Sequence, residues 1–168
     1  MSDIATLRDH ARRLEQTQVV ERPGGVTGYA TFYATGTFVP TFQGSATAGV
    51  WTYSIQTGFY TRVGNRVLFS LSVQAATRPT PPTGTARITG LPFTSDATAN
   101  SHSPITLDTL DSLTLSGTIV QLTARVPPSA VYIELIENLG TAPIAAGALA
   151  ATGLTATALV RACGSYMV

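Results

Sequence analysis

The sequence predicts an all-β domain, a sandwich or a barrel, preceded by a short helix. Apolar and polar residues alternate with a period of two after Gly25, and Gly, Pro, Asn and Ser interrupt the alternation about every ten residues. The length of 168 residues suits one globular domain. Charged residues make up only 11% of the chain, where about a quarter is usual. So few charges indicate a surface that is uncharged, or one that is hidden in an oligomer.

The first 22 residues differ in character from the rest. They carry eight of the nineteen charges, and the next 39 residues carry none, which places a boundary near Pro23. Four apolar residues and one polar residue recur there at alternating spacings of three and four, a heptad seam. These residues are Ile4, Leu7, Ala11, Leu14 and Gln18. We predict a coiled-coil helix over residues 1–22 and a β domain over residues 26–168, the alternative being an amphipathic helix folded back on its own domain.

The clearest strand covers residues 67–75, where apolar and polar residues alternate without interruption. Gly64-Asn65 precedes it, and a pair with glycine first suits a two-residue type II′ turn. Residues 58–63 should therefore form the other strand of a hairpin. In that register Tyr60 lies opposite Phe69, an aromatic cross-strand pair.

Turn residues delimit the remaining strands. The predicted strands are residues 28–34, 37–42, 47–54, 84–90, 113–126, 130–137 and 155–168. The apolar positions in residues 113–126 change phase near Gly117, which predicts a bulge or a strand break there. Residues 78–84 contain three prolines and should form a loop.

Charge and cysteine content exclude several classes of protein. A net charge of +1 gives no long-range attraction for nucleic acid. The single cysteine, Cys163, allows neither an intrachain disulfide framework nor a multi-thiolate zinc site. The polar N-terminus does not have the pattern of a secretory signal. The uncharged residues 138–160 are interrupted by Pro143 and three glycines, so we do not expect a membrane span.

Catalytic patterns are scarce. The carboxylates available to a glycosidase outside the N-terminal segment are Asp96, Asp108, Asp111, Glu134 and Glu137. Glu134 could face a cleft beside Asp108, although isolated strand and loop carboxylates are usually only solvated. His10 and His102 are the two histidines, and no nucleophile elbow surrounds His102. Phosphate-binding glycine loops are missing as well. We predict a protein that is not an enzyme and has no cofactor and no metal.

Aromatic side chains are the best candidates for recognition. Trp51, Tyr53, Phe59 and Tyr60 lie in or near the uncharged stretch, among Thr, Ser and Gln residues. Exposed, they would suit stacking on sugar rings. Buried, they would belong to the core or to a subunit interface, where Tyr and Trp are enriched.

Three segments carry a resemblance to a known class of proteins. They are residues 36–42 (GTFVPTF), 53–67 (YSIQTGFYTRVGNRV) and 88–95 (ITGLPFTS). Together they resemble the β-structured tip and receptor-binding domains of bacteriophage tail fibres, spikes and head fibres. The resemblance implies an antiparallel, jelly-roll-like β-sandwich that forms a homotrimer. Phe59 departs from the pattern, which commonly has a polar or basic residue there.

The resemblance also implies a function. We expect a structural virion protein whose trimeric β domain attaches the particle to host-surface polysaccharide. Residues 1–22 would anchor it to another virion protein, and neither nucleic acid nor a membrane would be a partner. Two alternatives stay open: a decoration or connector protein without a host ligand, and a depolymerase of capsular polysaccharide.

Overall fold

The computed structural model describes residues 33–117, 119–140 and 145–168. Within these ranges the chain forms ten strands and one turn of 3-10 helix, Ala151–Gly153. The strands are β1 (Tyr33–Phe38), β2 (Thr41–Gly44), β3 (Val50–Val63), β4 (Arg66–Thr80), β5 (Ala86–Thr89), β6 (Ser103–Leu113), β7 (Ile119–Val126), β8 (Tyr132–Leu139), β9 (Ala145–Ala148) and β10 (Leu154–Met167). The predicted helix over residues 1–22, with its heptad seam, lies outside the described residues.

All ten strands belong to one sheet, and every pair of neighbours is antiparallel. Their order is β1-β3-β4-β10-β6-β7-β8-β5-β2, with β9 beside β8. The prediction of an antiparallel all-β fold is confirmed. No helix in the described part of the chain is long and apolar enough to cross a membrane.

The sheet rolls up until its two ends meet. Strands β2 and β3 stand near opposite ends of the strand order, yet Phe42 on β2 contacts Trp51 and Tyr53 on β3. The ring centroid of Phe42 lies 5.5 Å from that of Trp51 and 6.2 Å from that of Tyr53. The Phe42 N–H also donates a hydrogen bond of 2.9 Å to the Tyr53 Oη. These contacts close the sheet around one core.

The core consists of the residues that alternate inward along the strands, because successive strand side chains point to opposite faces. Strands from both halves of the strand order contribute to a single cluster. Its most deeply buried members include Phe42, Val67, Val73, Ile88, Val126, Ile133, Leu135, Leu149, Leu154, Val160 and Tyr166. The outward faces of the two halves therefore lie on opposite sides of this core.

The hairpin predicted around Gly64-Asn65 is confirmed. The pairing of β3 with β4 begins next to the turn, with Val63 opposite Arg66, and continues along both strands. Tyr60 lies opposite Phe69 in this register. Gly64 has a φ of +60°, as the first position of a type II′ turn requires. A Cβ at this position would meet nothing within 4 Å, so backbone conformation and not space accounts for the glycine.

Several predictions about strand boundaries are wrong. The strands predicted over residues 47–54 and 58–63 form one continuous strand, β3. The strand predicted over residues 37–42 is divided between β1 and β2, with a break at Val39 and Pro40. Proline has no N–H to donate to a ladder, so a strand tends to end there. The loop predicted over residues 78–84 begins later, because β4 continues to Thr80. Arg78 near its end donates a hydrogen bond of 3.1 Å to the Thr152 carbonyl and another to the Leu154 carbonyl.

Two strands were missing from the prediction, β6 and the short β9, and β7 was placed only in part. Strand β6 contains Pro104 and two aspartates, which are poor strand formers. It forms because β10 pairs along much of its length. The expected interruption near Gly117 is present as a strand break, since β6 ends at Leu113 and β7 begins at Ile119.

Tyr166 joins β10 to the loop after β5. Its buried ring lies edge-on to Phe69 at 6.0 Å between centroids. The hydroxyl donates to the Phe93 carbonyl at 3.1 Å and accepts from the Phe93 N–H at 3.3 Å. Burial raises the pKa of Tyr166 to about 12, against an ordinary value of 10.0.

We expect the Tyr166→Phe variant to lower the free energy of unfolding by about 1–3 kcal/mol, because both backbone groups of Phe93 lose their partner. Urea denaturation at pH 7 measures this loss. The stability of the wild-type protein should also fall as the pH rises from about 10 to 12, because the folded state favours the neutral phenol. The stabilisation that the neutral Tyr166 phenol provides is fully present below pH 10, and the variant lacks this pH dependence.

Thr157→Val is the matched control, because it also removes one hydroxyl group and the Thr157 side chain is exposed. It should leave both the unfolding free energy and its alkaline dependence unchanged. Equal effects of the two substitutions would contradict the structural role of the Tyr166 hydroxyl.

Candidate functional site

Strands β1, β3, β4 and β10 present a continuous outward surface, which we call the outer face. Residues directly opposite each other on neighbouring strands point to the same side of a sheet. Three adjacent rows of the register define the face. They are Tyr33, Val63, Arg66 and Met167; Thr35, Thr61, Leu68 and Ser165; and Thr37, Phe59, Ser70 and Cys163.

Large apolar side chains are exposed on this face. Tyr33 is 65% exposed, Phe59 56%, Leu68 47% and Val63 43%. Val63 lies opposite Tyr33, and Leu68 occupies the row between Val63 and Phe59. A solvated strand face normally carries polar residues, since only the other face is buried. Clustered exposed apolar side chains mark an interaction surface.

The rest of the outer face is neutral or positive. Between the apolar side chains lie threonines and serines, which offer hydroxyl groups for hydrogen bonds. Strands β1, β3, β4 and β10 contain no aspartate and no glutamate. Arg66 is the charged residue within the three rows, and Arg161 follows on the same side of β10. The shortage of charged residues in the sequence is thus most evident on this face of the sheet.

Two of the four predicted aromatics lie on the inner side of β3. Trp51 and Tyr53 are half-buried against Phe42. The Trp51 Nε1–H donates to the Ala48 carbonyl at 3.1 Å, and the Arg78 guanidinium lies 5.9 Å from the Trp51 ring. The hydroxyl of Tyr53 is held by the Phe42 N–H, and burial raises its pKa. Both residues close the rolled sheet.

The other two aromatics point to opposite sides of β3. Tyr60 faces inward and packs edge-on against Phe93, with 5.4 Å between ring centroids. The Arg62 guanidinium lies 4.8 Å from the same Phe93 ring. Phe59 faces outward. The four aromatics therefore do not form one surface, and among them Phe59 alone belongs to the outer face.

Sequence reasoning did not single out Val63 and Leu68 as site residues. A signal for Leu68 was present, because it is an apolar residue at an outward position between Val67 and Phe69. Once it is known which positions of a strand face the core, an apolar residue at one of the outward positions indicates an interaction surface.

The candidate carboxylates are separated. Glu134 on β8 is paired with Arg125 and Arg87, and Glu137 is buried, accepting from the Ser116 N–H at 3.1 Å and from its hydroxyl. Asp108 is exposed on β6, and β7 stands between β6 and β8. A cleft that Glu134 shared with Asp108 would have to cross that strand.

The remaining acidic and metal-binding candidates lie in loops or on exposed strand positions. Asp96 accepts a hydrogen bond of 2.6 Å from the Thr98 N–H, and hydrogen bonds from the Thr98 side chain and backbone lower the pKa of this carboxyl. His102 and Cys163 are both exposed. Across the described ranges, no group of three or more His, Cys, Asp or Glu side chains could hold a metal ion.

Comparisons with known proteins identify the fold. The chain matches no protein-family model and no curated protein in sequence. Its structure is similar to the crystal structure of the Dettilon tailspike protein, with a TM-score of 0.64 and 22% sequence identity. The fold is one that a tailspike contains. The similarity covers 80% of this chain and 24% of the tailspike, so the chain spans about a quarter of that protein's length.

Proposed function

We propose that this chain is a virion fibre or spike protein of a tailed bacteriophage or a phage-like particle. The observation that carries the proposal is the shared fold with a tailspike protein over 80% of the chain. The first two of the three sequence segments that resemble fibre and spike tips lie mainly on strands β1 to β4 of this fold. The third begins at the end of β5 and continues into the loop after it. In the proposed virion the β domain points outward, and residues 1–22 anchor it to another virion protein.

The outer face supports a homotrimer. Its exposed Tyr33, Phe59, Val63 and Leu68 would be covered by a neighbouring copy, as in interface cores that are rich in aromatics and poor in charge. A cyclic trimer closes through one repeated contact between different surfaces of adjacent copies. A jelly-roll-like sandwich packed around a three-fold axis in this way would bury the outer face of each copy against its neighbour.

Host-surface polysaccharide is the proposed ligand of the β domain. Three copies bound together would convert three weak contacts into strong attachment, because linked sites raise avidity without new contacts. In this proposal the chain attaches and does not cleave, since the carboxylates Glu134 and Asp108 stand on strands separated by β7. A decoration or connector protein without a host ligand is the competing function.

Attachment is tested with the full-length protein. We expect fluorescently labelled protein to bind cells of the host strain and to bind their purified surface polysaccharide, with stronger binding for the trimer than for a dissociated variant. Flow cytometry and biolayer interferometry measure these two interactions. A heat-unfolded sample and cells that lack the polysaccharide are the controls.

A lack of binding to any host cell or polysaccharide would contradict the adhesive role and favour the connector. Release of reducing ends from the polysaccharide in the same incubation would instead identify a depolymerase.

The interface is tested by Phe59→Arg. A buried cation at the centre of an apolar contact is unfavourable unless it is paired. We expect the variant to be monomeric at tens of micromolar, where the wild-type protein is a trimer, and to keep its fold. Sedimentation equilibrium gives the mass, and circular dichroism checks the fold.

Val131→Arg is the matched control, because Val131 is about as exposed as the residues of the outer face but lies in the loop before β8. It should remain trimeric. A Phe59→Arg variant with the same mass as the wild-type protein would exclude the outer face as the interface.

A further inference from the structure

A row of polar side chains crosses the half of the sheet opposite the outer face. Gln43 on β2 lies opposite Arg87 on β5, Arg87 opposite Glu134 on β8, and Glu134 opposite Arg125 on β7. We call these four residues the arginine row. Neighbouring strands are about 4.8 Å apart, so the row is about 14 Å long. That length suits two or three sugar units.

The two arginines of the row are held differently. Arg125 contacts the Glu134 Oε2 twice, with its Nε at 3.2 Å and an Nη at 3.1 Å. Arg87 reaches the Glu134 Oε1 only through one Nη at 3.9 Å. The Nε of Arg87 is buried and has no hydrogen-bond partner within the part of the chain that the structure describes. Glu134 is therefore committed mainly to Arg125.

Arg87 is also fixed in place. Its guanidinium lies 4.1 Å from the centre of the Tyr132 ring, a cation–π contact. A guanidinium has five N–H donors in a planar fork that matches a carboxylate. The Arg87 side chain is held against an aromatic ring and is 27% exposed, so its Nη groups are preorganised to receive an anion from solvent. The two arginines and one glutamate leave the row with one unit of positive charge.

Neutral hydrogen-bonding groups surround this cation. Thr89 lies opposite Tyr132 in the next row, and the Oγ1 atoms of Thr89 and Thr41 are 2.6 Å apart. With the amide of Gln43 they offer donors and acceptors to hydroxyl groups. One uncompensated cation among such groups suits a ligand with isolated charges. A nucleic acid, with a phosphate on every unit, needs many cations.

We propose that the arginine row binds an acidic polysaccharide, with Arg87 pairing with the carboxylate of a uronic or sialic acid unit. The adjacent sugar hydroxyls contact Thr41, Thr89 and Gln43. This site rests on the proposed attachment function and names its ligand class. It also lies on the half of the sheet opposite the outer face.

The test uses the full-length protein with polygalacturonate as the acidic probe and dextran as the neutral one. We expect polygalacturonate to bind, dextran not to bind, and the affinity to fall as salt is added. Arg87→Gln should weaken binding by at least about tenfold, because a charge-assisted pair is lost. Arg87→Lys should weaken it less, since the charge remains without the planar fork.

Glu134→Gln changes the affinity in the opposite direction. It removes the internal carboxylate that competes with the ligand, so we expect polygalacturonate to bind more tightly, by about threefold or more. Asp111→Asn is the matched control, because it changes the net charge equally at an exposed position on β6. It should leave the affinity unchanged. Thermal unfolding confirms that each variant is folded.

Two outcomes would overturn the proposal. One is a wild-type protein that does not bind polygalacturonate at low salt, and the other is an affinity that Arg87→Gln leaves unchanged. Host-cell binding separates this result from the attachment function. Cells bound equally by wild-type and Arg87→Gln protein would place attachment elsewhere on the domain, whereas polygalacturonate binding without cell binding would contradict attachment and leave the site intact.

Discussion

The contact between Phe42 and Tyr53 is the constraint on which the rest of the structure depends. It joins strands from opposite ends of the sheet, through a hydrogen bond of 2.9 Å and packed rings, and so turns a ten-stranded sheet into a closed layer around one core. Once the sheet is closed, strand alternation decides which side chains are outside. The outer face and the arginine row consist of outward-facing residues on the two halves of the sheet, and both surfaces result from this closure.

Local patterns in the sequence were sufficient for the antiparallel all-β fold and for the hairpin at Gly64-Asn65, since turn chemistry and alternation act over a few residues. Long-range packing was not predictable in the same way. Strand β6 forms because β10 pairs with it, although Pro104 and its aspartates disfavour a strand. The role of Trp51 and Tyr53 depends on Phe42, which reaches them only after the sheet rolls up.

The candidate site, too, was predictable where it depends on local sequence and not where it depends on long-range strand pairing. Phe59 was recognisable in the sequence as an unusual aromatic. That Phe59 and Tyr60 lie on opposite faces of the sheet could be seen only from the strand register. Arg87 and Glu134 are 47 residues apart in the sequence and become neighbours only through the pairing of β5 with β8. In the proposed virion protein the two outward surfaces have different roles: the outer face forms the contact between copies, and the opposite half of the sheet binds the host surface.

The single cysteine offers the most direct test of this account, because Cys163 is exposed on the outer face of an isolated chain. Its reaction with a thiol reagent is compared between the native full-length protein at tens of micromolar and the same protein in urea. Assembly through the outer face predicts that the native thiol reacts far more slowly than the unfolded one and becomes reactive in the Phe59→Arg variant. A native thiol that reacts as fast as the unfolded one would contradict it.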